Sequence, residues 1–99
     1  MKAAIKRKWV AALRSGKYKQ ARQVLVEKAP WGEVAGHCCL GVLRHCLTGK
    51  NRYYEYFDIL AERFIAPLGL TVEQEKELAG MNDDGSTFAE IADHIEKNL

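Results

Sequence analysis

No segment of the chain comes near the roughly 18 or more consecutive apolar residues of a membrane-spanning helix, so a membrane-embedded protein is not expected. The basic opening Met1-Lys2-Ala3-Ala4-Ile5-Lys6-Arg7-Lys8 is not followed by an apolar h-region, and reads as an amphipathic helix and not as a secretion signal. Cysteine is scarce and odd in number: three residues, two of them adjacent. That is a poor disulfide framework and fits free thiols in a reducing compartment. There is no internal repeat, low-complexity tract or linker composition. Also missing are a nucleophile–base pair, paired carboxylates, a glycine-rich phosphate loop and a ligand set with zinc spacing, so catalysis is not expected and no cofactor is implied. What remains is a 99-residue chain, 47% hydrophobic and 28% charged, which is ordinary for one soluble domain with a modest core.

Charge is balanced overall but not along the chain. Residues 1–28 carry nine Lys or Arg against the single acid Glu27, whereas residues 71–99 carry eight acids against Lys76 and Lys97. If the two ends pack together the charges compensate; if they lie apart the molecule has a basic and an acidic face.

The most apolar stretch, Gly36-His37-Cys38-Cys39-Leu40-Gly41-Val42-Leu43-Arg44-His45-Cys46-Leu47, is apolar around most of a helix circumference and is expected to be a buried central helix over 38–48. Gly41 costs helix propensity and implies the close approach of a neighbouring element. Ile5, Trp9, Ala12 and Leu13 give a first helix over 3–15, stopped by Gly16. Val24-Leu25-Val26, the turn chemistry of Ala29-Pro30-Trp31-Gly32 and the weak helical pattern after it favour a hairpin, with strands near 22–27 and 33–38, over a helix through 18–28. A helix over about 52–66, capped by Asn51, carries Tyr53, Tyr56, Phe57, Leu60, Phe64 and Ile65, and Pro67 ends it. Thr71-Val72-Glu73-Gln74 and Thr87-Phe88-Ala89-Glu90 are capping boxes that open two more helices, 72–82 and the C-terminal one. The expected fold is α+β, mainly α, a single domain of about five helices around a buried central helix with one short two-stranded hairpin.

Three surfaces are candidates for function. The basic set Lys2, Lys6, Arg7, Lys8, Arg14, Lys17, Lys19 and Arg22, with Tyr18 interleaved, has the composition of a nucleic-acid or acidic-partner contact. Trp31, at the hairpin tip, is a candidate partner anchor, although folding back onto the core is the expectation. Glu73, Glu75, Glu77, Asp83, Asp84, Glu90, Asp93 and Glu96 form an acidic set that could imitate phosphate, with Glu73, Glu77, Asp83, Asp84 and Asp93 the contact candidates. Asn82-Asp83-Asp84-Gly85 has calcium-loop oxygen density without the twelve-residue ligand pattern, and reads as a turn. The cysteines and histidines of the central stretch do not complete a metal set by spacing, and are expected to be buried thiols and packing residues.

Three phrases in order carry a resemblance: Ala12-Leu13-Arg14-Ser15-Gly16-Lys17-Tyr18-Lys19-Gln20, then Cys38-Cys39-Leu40-Gly41-Val42-Leu43, then Met81-Asn82-Asp83-Asp84-Gly85 with Thr87-Phe88-Ala89-Glu90-Ile91-Ala92-Asp93 and Ile95-Glu96. Together they resemble a group of small uncharacterised proteins of tailed bacteriophages and prophages. The resemblance implies a phage origin, residence in the cytoplasm of a bacterial host, and an accessory role. The expected function is non-enzymatic binding of a host or phage protein, with a host-defence antagonist of the anti-CRISPR kind as one form. The alternative is non-specific nucleic-acid association through the basic N-terminal helix. Neither a membrane partner nor a small-molecule ligand is indicated by the sequence.

Overall fold

A computed structural model of the protein describes residues 1–51, 60 and 62–99. Its elements in chain order are α1 (Ala3–Arg14), β1 (Val26–Lys28), β2 (Val34–His37), α2 (Cys39–Thr48), α3 (Glu62–Ile65) running into a 3-10 turn (Ala66–Leu68), α4 (Val72–Asp83) and α5 (Phe88–Asn98). The class is α+β and mainly α, with an antiparallel β1–β2 pair as the only sheet among the described residues. The expected helix over 52–66 lies mostly outside the described residues, as do Tyr53, Tyr56 and Phe57; its described end is α3.

α2 is the centre of the molecule. Cys39, Leu40, Val42 and Leu43 are completely buried, against Trp9 and Leu13 of α1, Leu78 of α4 and Ile91 and Ile95 of α5 in one apolar cluster. Trp9 donates its indole N–H to the Cys39 carbonyl at 2.9 Å, so the largest core side chain also ties α1 to α2. Gly41 sits where the chain entering β1 crosses α2. A Cβ at that position would lie 2.0 Å from the Leu25 carbonyl oxygen, so only glycine admits this approach. The same carbonyl accepts from the Cys38 amide at 3.1 Å.

The start of α2 is held by residues far away in sequence. Asn82 is fully buried near the end of α4. Its Oδ1 accepts from the Cys39 amide at 3.2 Å and from Gln20 Nε2 at 2.9 Å, and its Nδ2 donates to the Ala21 carbonyl at 2.8 Å. One side chain thereby satisfies an orphan amide at a helix start and pins an irregular segment. Asp83 adds to this by accepting from the Gln23 amide at 2.7 Å, which holds Gln23 in a left-handed conformation at φ 67°. The turn expected at residues 82–85 is therefore the last turn of α4 followed by Asp84-Gly85, and two of its residues fasten loop 20–23.

No helix forms through 18–28. Residues 19–21 run beside β2 instead, with the His37 amide donating to Lys19 O and the Ala21 amide to His37 O, both at 2.8 Å. Both capping boxes are present, Thr71 with Gln74 and Thr87 with Glu90. One residue of the acidic set faces inward: Glu75 is buried, and its carboxylate accepts from the Leu60 amide at 2.6 Å. It is not part of an acidic surface, because it meets a backbone donor that water cannot reach.

A basic and aromatic surface between helix α1, loop 15–21 and the hairpin

The basic residues do not form one uniform face. Arg14 reaches across to α5 and pairs with Asp93 at 2.7 Å and Glu96 at 2.5 Å, and these acids hold its guanidinium even more firmly protonated than usual. The chain ends thus meet and partly compensate along the α1–α5 seam. Arg22 donates to the Asn82 carbonyl at the end of α4, where a cation suits the helix terminus. Lys2 is exposed at the start of α1, its amide tied to the Leu68 carbonyl at 3.0 Å. Lys6 and Arg7 line a groove of about 660 Å³ that also contains Arg14 and Glu96.

Lys8, Lys17 and Lys19 have a different setting. Lys8 and Lys17 line a groove of about 490 Å³ between α1 and α2, together with Ala12, Tyr18, His45 and Cys46. Lys17 and Lys19 line a smaller depression of about 170 Å³ on the hairpin side, with Tyr18, Val34 and His37. Tyr18 and Lys17 are common to both, so the two depressions make one track.

Tyr18 is fixed in place. Its hydroxyl bonds His45 Nδ1 at 2.7 Å, and its ring meets His37 and His45 edge-on at centroid distances of 5.0 and 5.5 Å. The two imidazoles lie 5.4 Å apart, and His37 Nε2 bonds Asn51 Oδ1 at 2.8 Å. Burial lowers the His37 pKa, with the neighbouring His45 adding to the effect, and raises that of Tyr18. Burial also raises the Cys46 pKa, although Lys8 pulls it the other way, so the groove wall carries a neutral thiol. Cys38 and Cys39 are buried as expected, whereas Cys46 is half-buried and lines the groove. Sequence reasoning missed the Tyr18–His37–His45 grouping. Positions 18, 37 and 45 share no helical or strand period, and only the pairing of residues 19–21 with β2 brings them together. Among the described residues no three His, Cys, Asp or Glu side chains are grouped to hold a metal ion.

Trp31 does not fold back onto the core. It is 74% exposed at the hairpin tip, its indole N–H bonded to the Glu33 carboxylate at 3.0 Å, and Val34 is also exposed. The turn that carries it is closed by two backbone bonds, Gly32 N donating to Ala29 O and Ala29 N to Glu33 O.

The acidic candidates are dispersed. Glu77 pairs with His94 across α4 and α5 at 2.6 Å, Asp93 is taken by Arg14, and Asp83 by the loop amide. Glu73 and Asp84 are exposed.

Fold and surface define a small, mainly helical domain that presents a lysine–tyrosine track and an exposed tryptophan. Residues 1–68 match the family model described as a domain of unknown function (DUF8296), and the chain belongs to that family. No curated protein matches the chain. No solved structure matches it either. No helix among the described residues is long and apolar enough to cross a membrane.

Proposed function

We propose that the protein is a non-enzymatic binding protein that engages another protein through the hairpin tip, with Trp31 as anchor. The carrying observation is the exposure of Trp31 beside Val34; these are the two large hydrophobic residues exposed among the described positions. A tryptophan held on a short closed turn loses little entropy on docking and can bury a large area, which is the character of an interface hot spot. Lys17 and Lys19, beside β2, would steer an acidic partner toward it. The resemblance to phage proteins supports a partner from the host or the phage, met in the bacterial cytoplasm, and an accessory role such as antagonism of a host defence.

The test is site-specific photo-crosslinking from position 31 in bacterial cells, with the adduct identified by mass spectrometry and its affinity then measured. Trp31→Ala should weaken binding by about 2 kcal/mol or more, some thirtyfold, with unchanged thermal stability. Equal affinity of Trp31→Ala and the parent chain for that adduct partner would refute the reading.

A second reading is association with nucleic acid, favoured by the alternation of Lys8, Lys17 and Lys19 around Tyr18. Binding of a single-stranded oligonucleotide should then fall steeply with salt, because each lysine–phosphate contact releases a counterion.

A further inference from the structure

We infer that the groove between α1 and α2 is a binding site for a phosphate monoester on a nucleotide. Two features set it apart from the larger groove on the α1–α5 seam. The seam groove contains Glu96, and its Arg14 is already neutralised by Asp93 and Glu96. Among the described residues, the α1–α2 groove is lined by Lys8 and Lys17 with no carboxylate, and neither lysine is in an ion pair with a described residue. The Cys46 thiol and the Tyr18 hydroxyl on its walls stay uncharged at neutral pH, since burial raises the pKa of both. The result is two lysines from different elements lining one groove with no counter-anion among the described residues, which matches a dianion better than a single carboxylate.

The walls are preorganised. Ser15 Oγ accepts from the Lys17 amide at 3.2 Å while donating to the Ala12 carbonyl at 2.7 Å, which fixes the backbone that carries Lys17. The Tyr18–His45 bond fixes the part of the wall that these two side chains form. Ala11, Ala12 and the Tyr18 ring supply apolar surface for a flat base, and about 490 Å³ lies within the range of small-ligand sites. The site is independent of the hairpin tip, because Trp31 does not line it.

The claim is tested by titrating the purified chain with adenosine 5′-monophosphate, adenosine and inorganic phosphate, by calorimetry and by amide chemical-shift mapping. The monophosphate should bind at least tenfold more tightly than either fragment, with shifts centred on residues 8–18 and 45–46. The Lys8→Gln/Lys17→Gln double variant should lose at least tenfold affinity with an unchanged melting temperature, both lysines being exposed. Equal binding of adenosine and its monophosphate, shifts centred elsewhere, or full affinity in the double variant would each overturn the assignment. A short oligonucleotide with and without a 5′-phosphate separates the sources: tighter binding of the phosphorylated strand than of the mononucleotide assigns the phosphate to a strand end, and the reverse order to a free nucleotide. Trp31→Ala should leave the monophosphate affinity unchanged, so failure here would leave the hairpin-tip reading standing.

Discussion

Asn82 ties three parts of the fold together through one side chain. It accepts from Cys39 N and Gln20 Nε2 and donates to Ala21 O, with no exposure to solvent. Asn82→Ala should destabilise the protein by about 3 kcal/mol, because it strands buried donors as well as removing bonds. Urea denaturation measures this directly. Gly41 makes the opposite kind of demand. Alanine is the better helix former by about 1 kcal/mol, yet the Leu25 carbonyl would lie 2.0 Å from its Cβ. Overpacking against backbone wins, and Gly41→Ala should lose about 1–3 kcal/mol net, read as a lower melting temperature. His37 gives the pH dependence. Its folded-state pKa is lowered, first by burial, so the unfolded chain takes up the proton at a higher pH than the folded one. Its contribution to stability is complete above about pH 6.5 and falls as the pH drops from there through the lowered folded value. His37→Gln should flatten the melting-temperature profile in that window; an unchanged slope would show that His37 is not responsible.

At the level of elements, the helix boundaries were legible because the signals are local. Thr71 and Thr87 each cap an amide three residues on, at 3.1 and 3.2 Å, and Gln74 and Glu90 return the bond. Thr71→Ala and Thr87→Ala should each cost about 1 kcal/mol, measurable by chemical denaturation. The hairpin was also legible, since Pro30 and Gly32 mark its turn and residues 34–37 have no helical period. The candidate site was legible only in composition. Lys8, Lys17, Lys19 and Tyr18 stood out as basic and aromatic. That Arg14 and Arg22 are engaged with α5 and with the end of α4 depends on tertiary packing, which periodicity does not encode. Glu75 shows the same limit: it lies among exposed acids in sequence, but its phase on α4 turns it inward to Leu60. Trp31 departs from expectation because burial is the usual fate of tryptophan, whereas here the ring stands exposed on the closed turn Ala29–Glu33.

At the scale of the molecule, α1, α4 and α5 are layered around α2, and this makes the thiols reporters of global opening. Cys39 is completely buried, its sulfur 3.6 Å from the Leu78 carbonyl, and Cys38 lies at the α2 start beneath the Leu25 carbonyl. Neither can reach solvent by fraying of one terminus, because α1, α4 and the β1 approach all contact the same turn. Burial also raises the Cys39 pKa well above that of a free thiol, so the reactive thiolate is scarce as well as covered. Cys46 lies toward the other end of α2, half-buried on the open groove. A thiol reagent such as dithionitrobenzoate should therefore label one cysteine per chain under native conditions and all three in denaturant. In sub-denaturing urea the labelling of Cys38 and Cys39 should follow the free energy of global unfolding, because the central helix is exposed only when the surrounding layer separates. Early labelling of either thiol, with a free energy well below the global value, would place the start of α2 in a locally opening unit and remove it from the centre of the fold. Occupancy of the groove by a phosphate ligand should slow Cys46 alone, which links this whole-molecule measurement to the site between α1 and α2.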